Sequence, residues 1–557
     1  MFLTSLGKKQ WKPTWDSLPG ETRLLILQYL MQDGCALGRL ATVSREWQAE
    51  IERYNFARIR LIPSRLANFS AMIQRNQALV SYIWFCLELD DYDCTTCAPS
   101  REILGSVEWE EAFAISDTDK CPITTGFQNL FSILSTWDLH GELTLDSSIY
   151  SPSDSEHWFK YLTFVPDTPS DRPGDYGLEK AVSTRDYHDP QHGWVAGSRH
   201  SAPSKHAIMK VFHSVMELGP FDSDQAELQW WDQLPSVPTV TTLLLRQQNR
   251  RRWKQDSLAH MFARFPRLQE VHYEPWREWD CMQGHTDRSE YCCITPYPFK
   301  LLPALLCVGS HLLTSRVRSL GYLYLFESIQ RSSNSLKRLV VFENFNQQYP
   351  AFMRRFREGS EVIGCEKIRN PAPAVGQMVA LASLKLEHLA ASFIADASHF
   401  FKIHPAWEWP NLTSLVLTSK LLTPDESSIE IGAMLRAAAA AAMKMPRLET
   451  MEIWNGRKGL AALFRYQAFR NIQQAVIVWR GTWKLAMEPS TIQAWEAVMH
   501  QYDGRRLGLV QERLDEAAIE SHGDAVHYLM LSGQIIRPIS LQQIQIEQKA
   551  LEGVKTI

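Results

Sequence analysis

Four clusters of cysteine, histidine and arginine hold the residues best able to do chemistry in this 557-residue chain. Cys94-Thr-Thr-Cys97, with Asp90, Asp91 and Asp93 beside it, has the spacing of half a zinc site. A structural zinc needs four ligands, ordinarily two such pairs. Cys121 is the nearest further cysteine and no second pair follows, so Cys94 and Cys97 are weak metal candidates and read better as packed or exposed thiols. Cys281 and His285 have a knuckle-like gap, but the adjacent Cys292 and Cys293 are poorly spaced to share one ion. Tyr187-His188-Asp189-Pro190-Gln191-His192 offers a base, yet it lies in a stretch read as a mobile loop, without the rigid surroundings catalysis needs. The sequence has no glycine-rich phosphate loop, nucleophile elbow or paired-histidine metal motif. A non-catalytic chain without a cofactor is the expectation.

The sharpest charge cluster is Arg246, Arg250, Arg251, Arg252 and Lys254, with Trp253 among them. It follows an expected strand, Val240–Leu245, and would project from one rim. Guanidinium groups clamp phosphate or carboxylate in bidentate fashion. Arg246, Arg250, Arg251, Arg252 and Trp253 are therefore the candidate substrate-binding residues, with a phosphorylated motif as one ligand chemistry. The competing reading is a solvated rim, or pairing with Glu270, Glu274 and Glu278. Trp230, Trp231, Trp276 and Trp279 add aromatic density that suits core packing better than an interface.

The elements that would position these residues show in a diverged repeat. Three segments share the form apolar-Pro-x-Leu-x-x-apolar-x-apolar: Phe265 to Tyr273, Trp409 to Leu417 and Met445 to Ile453. Looser copies start at Val80, Val240, Leu336, Leu381 and Ile472. This is the strand signature of leucine-rich repeats, in which alternate side chains point inward and those between face out. Helical spacing precedes two of the proline-led copies, at Leu258, Met261 and Phe262, and from Ile431 through the alanine tract to Ala442. Helix-plus-strand units that cannot bury a face alone must stack. Their uneven spacing predicts a distorted horseshoe with insertions.

The expected organisation is an N-terminal tail (1–14), a three-helix segment (15–60), the irregular solenoid (61–456) and a C-terminal α/β cap (457–557) over its open end. Pro166 to Lys205, rich in Pro, Asp, Gly, Ser and His, reads as a flexible insertion. In the cap, Ala475 to Trp483 reads as a strand, and Thr491 to Met499 and Ala525 to Leu531 as helices. Lys plus Arg total 58 against 62 Asp plus Glu, so no net charge points to nucleic acid. No run is long and apolar enough for a membrane span or a signal peptide. Ten scattered cysteines suit a reducing compartment, cytoplasmic or nuclear.

The N-terminal segment is too short and too apolar to bury itself. Pro19 and Glu21 suit a first helical turn, and Leu24, Leu27 and Met31 step along one face. Asp33-Gly34 ends that helix, a second carries Leu37 and Leu40, and Ser44 can cap a third bearing Trp47, Ile51 and Tyr54. Leu18-Pro19, Glu21, the run Leu24 to Leu30, and Val43-Ser44-Arg45-Glu46-Trp47 resemble the F-box family, with Ser44 where cysteine is frequent. The resemblance implies binding to the Skp-type adaptor, and through it a cullin, of an SCF-type cullin-RING ubiquitin ligase. It gives Trp15, Leu18, Pro19, Leu24, Leu27, Leu30, Val43 and Trp47 the adaptor-binding role. The rest of the chain would select a protein substrate.

The wider layout also resembles filamentous-fungal F-box proteins. The residues that carry this are Leu87-Glu88-Leu89, Tyr92 to Cys97, Tyr150 to Phe159, Thr241 to Trp253 and Tyr273 to Trp279. The expected class is thus α/β: three F-box helices, an irregular leucine-rich-repeat-like solenoid and a cap. The alternative is a solenoid scaffold, adaptor-bound or free, outside the ubiquitin pathway.

Overall fold

Alternating apolar residues suit a pleated strand, and the repeats become the strands of one sheet. The computed structural model describes residues 14–32, 37–93, 122–138, 141–167, 187–201, 203, 205–212, 214–216, 220–276, 311–332, 335–345, 372–502 and 504–552. Its strands are β1 (Arg58–Leu61), β2 (Tyr82–Glu88), β3 (Leu143–Tyr150), β4 (Trp194–Val195), β5 (Ser198–Arg199), β6 (Val240–Leu245) and β7 (Glu270–Tyr273). They continue as β8 (Arg338–Phe342), β9 (His388–Asp396), β10 (Ser414–Thr418), β11 (Thr450–Arg457), β12 (Leu460–Phe469), β13 (Gln474–Gly481) and β14 (Arg506–Arg513). All but β4 and β5 form a single twelve-stranded sheet whose spatial order is the chain order. Pairing is parallel from β1 to β11, antiparallel through β12 and β13, and parallel again at β14. The architecture is mixed α/β.

Parallel neighbours need crossovers, and helices supply them. Three helices come first: α1 (Gly20–Gln32), α2 (Leu37–Leu40) and α3 (Arg45–Ala57). Then come α4 (Pro63–Ile73), α5 (Pro122–Leu134), α6 (Lys205–Phe212), α7 (Asp224–Gln233), α8 (Gln255–Ala263), α9 (His311–Ser332), α10 (Pro373–Ala382) and α11 (Ala397–Phe400). The last four are α12 (Ser428–Ala442), α13 (Pro489–Gln501), α14 (His522–Leu529) and α15 (Pro538–Glu552).

The main core lies between one face of the sheet and helices α4, α5 and α7 to α13. Ile83, Leu145, Leu243, Val271, Leu339, Leu389, Leu415 and Met451 stand side by side across eight successive strands, none more than 1% exposed. Each such side chain contributes about 2 kcal/mol by leaving water, so the row fixes register strongly. One repeat copy needs its frame moved. Leu381 belongs to α10 and Leu384 to a short 3-10 turn; Leu389 and Ala391 are the residues that enter the apolar rows. The sequence reading had no counterpart for β1, β3, β12 or β14.

The second face of the sheet departs from expectation. Trp84, Asp146, Leu244, His272, Val340, Ala390, Val416 and Glu452, the residues between the repeat positions, form the next row and are also buried. The chain's own C-terminal segment covers much of this face. Ile519, Ala525, Val526, Leu529, Ile535, Ile536 and Ile544 pack on Val340, Phe342, Ala390, Phe393, Val416, Trp454 and Leu463. A parallel sheet is stable when both faces are covered, and here helices take one and the C-terminal segment helps cover the other.

Residues 457–557 were expected to close the open end as a cap. Residues 460–513 instead extend the sheet by three strands, and 514–552 fold back across it. The expected boundary falls at a hairpin tip, where Gly459 takes φ +72° to reverse the chain between β11 and β12. The expected flexible insertion also needs correction. Its described residues 187–201 pack against the body through Trp194 and Arg199, both buried, and the Trp194 indole donates to the Trp158 carbonyl at 3.2 Å. Residues 168–186 lie outside the described residues.

Candidate functional site

The N-terminal helices form a hook with a small core of its own. Leu27, Met31 and Ile51 are buried together, with Trp15, Leu37, Leu40, Ala41 and Trp47 packed around them. Trp15 and Trp47 meet with ring centroids 4.9 Å apart. Ser44 caps α3 as its type predicts, its hydroxyl accepting from the Trp47 N–H at 3.3 Å. Glu46 ties the pieces together: it accepts from the Trp15 indole at 3.0 Å and from Arg23 Nε at 2.9 Å. Those contacts, the Trp15 hydrogen bond foremost, hold its carboxyl below the usual range. Arg23 also donates to the Leu18 carbonyl at 3.2 Å, fixing the turn before α1.

This core leaves several large apolar side chains outside it. At 100° per residue, Leu25 and Tyr29 lie opposite the Leu27 and Met31 side of α1, with Ile26 beside them. Leu25 is 54% exposed and Tyr29 69%, and Val43 at the start of the next turn is 60% exposed. Leu24 and Ile26 are exposed too. A helix with apolar residues on more than one side is suited to burial on more than one side, which makes the exposed ones candidates for an interaction surface.

The expected adaptor-binding residues divide accordingly. Pro19, Leu24 and Val43 are exposed, Trp15, Leu18, Leu30 and Trp47 half-buried, and Leu27 buried inside the hook. Leu25, Ile26 and Tyr29 are exposed as well, on sides of α1 that the single apolar face of Leu24, Leu27 and Met31 does not cover. The nearly unbroken run Leu24 to Leu30 was the available signal.

The arginine cluster does not form a projecting rim. Arg246, Arg250, Arg251 and Arg252 are all buried, and Trp253 sits in the main core 5.3 Å from the Phe127 ring. Arg246 Nε donates to Asp146 at 2.8 Å and its Nη2 to the Val165 carbonyl at 2.8 Å. Burial is the largest single influence on Arg246 and works against its charge, but Asp146, Tyr82 and Asp167 together outweigh it and hold the guanidinium above its ordinary range. Arg250 pairs with Glu547 of α15 and lies 4.1 Å over the Trp276 ring. Arg251 pairs with Asp154, and Arg252 Nε donates to Ser214 at 3.0 Å.

The carboxylates expected as partners are differently engaged. Glu274 accepts backbone N–H groups of Gln247 and Arg537 at 3.0 and 2.7 Å, and Glu270 meets His272 at 2.7 Å. Glu278 lies outside the described residues. The cluster is a set of buried struts between the sheet and the segments covering it.

Cys94, Cys97, Cys281, His285, Cys292 and Cys293 also lie outside the described residues. Among the described residues no group of His, Cys, Asp and Glu is arranged to hold a metal. Asp189 and His192 do come together, Nδ1 to carboxylate 2.8 Å, with Lys160 Nζ 3.0 Å from the same oxygen. His192 is buried against Trp158 and His157 rather than carried on an open loop. Among the described residues no helix is long and apolar enough to cross a membrane.

Residues 331–537 match a family of unknown function (DUF6546). The match runs from the end of α9 through β14 and α14, and includes the return across the sheet up to Arg537. No match is found among curated proteins.

Proposed function

We propose that this chain is the substrate-recognition subunit of an SCF-type cullin-RING ubiquitin ligase. The hook of α1 to α3 docks on a Skp-type adaptor, and through it on a cullin. The repeat body, a horseshoe-like solenoid, holds a protein client. The observation that carries the reading is the exposure of the large apolar residues Leu24, Leu25, Ile26, Tyr29 and Val43 on a hook whose motif resembles the F-box. Leu27, Trp15 and Trp47 keep the hook folded, while Pro19, Leu24, Leu25, Tyr29 and Val43 meet the adaptor. The chain then acts by proximity, raising the effective concentration of client lysines at the ligase's E2, and supplies no catalytic residue. It acts in the cytoplasm or nucleus, where that machinery works.

The test is affinity purification of the full chain from cells with the proteasome blocked, followed by mass spectrometry. Adaptor, cullin and ubiquitylated clients should co-purify. An adaptor without cullin or ubiquitylated clients would support the scaffold alternative instead, and absence of the adaptor would end both adaptor-based readings.

A further inference from the structure

With helices on one face of the sheet and much of the other covered by the chain itself, a large part of the surface that solenoid receptors use is occupied. Among the described residues no strand covers the sheet's last edge. β14 pairs with β13 over eight registered residues, Gln474↔Arg506 to Gly481↔Arg513, and its outer side pairs with no described strand. Leu509 is 51% and Val510 40% exposed in the middle of the strand.

The other edge shows how this protein blunts a strand it does not use. β1 has four residues, Arg58 lies over the Tyr82 ring and donates to the Asp167 carbonyl, and Arg60 pairs with Glu88. A short edge with its charges engaged is a protected edge. β14 is twice as long, contains no proline and carries exposed aliphatics. Unpaired main-chain groups in such a strand are a template for an added strand.

Charge selects the occupant. Glu512 is taken by Arg480, which leaves Arg505, Arg506 and Arg513 without an acidic partner among the described residues. Arg506 opens the strand and Arg513 closes it, so an added strand with carboxylates at both ends and β-branched residues between places opposite charges across the new pair and covers Leu509 and Val510.

We propose that the outer edge of β14 docks an extended acidic peptide segment by strand addition. Under the receptor reading this defines the client class, and for that role alone it rests on the reading. The edge belongs to the chain whether or not an adaptor sits on the hook.

The experiment uses the full chain without adaptor and a capped peptide of alternating Thr and Val with two Glu at each end, matched in length to β14. Titration calorimetry should give saturable binding that weakens with salt. R506E/R513E should weaken it about tenfold, while R506K/R513K retains it. Two N-methylated versions separate strand addition from plain charge attraction. Methylation along one peptide edge should abolish binding, and methylation along the opposite edge should spare it. Failure of the parent peptide to bind, equal binding by both methylated forms, or indifference to R506E/R513E would overturn the proposal. None of these outcomes bears on adaptor capture, so the two claims fail separately.

Discussion

Arg250, just after β6, and Glu547, in α15, form a buried ion pair although 297 positions separate them. The same arginine donates to the Gln247 carbonyl at 2.7 Å, and Gln247 Nε2 donates to the Ser540 carbonyl at 3.0 Å. Further along the segment, Arg537 donates to both oxygens of Asp167 at 3.1 and 2.6 Å. Polar struts thus anchor the C-terminal segment at one end of its crossing, and the apolar contacts of Ile519 to Ile544 anchor the rest.

Removing one partner of this pair should be costly. Glu547→Ala strands the Arg250 guanidinium in a buried site, at about 3–5 kcal/mol. Chemical denaturation should show the loss, and limited proteolysis should nick α15 well before the sheet. Replacing Arg250 by Met and Glu547 by Leu together should cost less than either single replacement, because no charge is left unpaired.

Acid should release the same segment by a different route. His522 is fully enclosed, its Nε2 is 2.9 Å from Asn344 Oδ1, and it stacks on Phe345 at 4.3 Å. Burial lowers its pKa to about 3, so the neutral ring is the folded form. The unfolded chain then binds a proton that the folded chain does not, between the ordinary value of 6.5 and about 3. The contribution of His522 to stability is complete above that window and lost as pH falls through it. His522→Gln should flatten the difference in stability between pH 7 and pH 5 relative to wild type, read by denaturation at the two values. An unchanged difference would mean that other groups govern the acid response.

The hook should show two kinds of residue on one helix. Leu27→Ala empties part of a small core and should loosen α1 by about 2–4 kcal/mol, read as faster amide exchange. Tyr29→Ser, on the outward side, should leave exchange within about 0.5 kcal/mol of wild type. The same helix would then separate residues that hold the fold from residues free of it.

The sequence makes legible what depends on local pattern. The proline-led copies ending at Tyr273, Leu417 and Ile453 coincide with β7, β10 and β11, and the expected helices before β7 and β11 are α8 and α12. The cap at Ser44 was readable for the same reason: its hydroxyl and its target are three residues apart. The second face was not. His272, Val340 and Val416 alternate with the core as exposed residues would, and what covers Val340 and Val416 comes from beyond position 514, through pairings no local period encodes. Arg246 to Arg252 look like a basic rim for the same reason, since Asp146, Asp154 and Glu547 are distant in sequence. Leu25, Ile26 and Tyr29 show the reverse: their apolarity is local, but their exposure is seen only once Leu27, Met31 and Ile51 form the hook's core without them.

The most direct test of the receptor reading is binary binding of the purified chain to a purified Skp-type adaptor, with the complex mass determined by light scattering. Wild type should form a one-to-one complex. L25E/Y29E should lose it while keeping the wild-type melting temperature, because those side chains face away from the hook's core. No complex with wild type, or an undiminished complex with L25E/Y29E, would contradict the account.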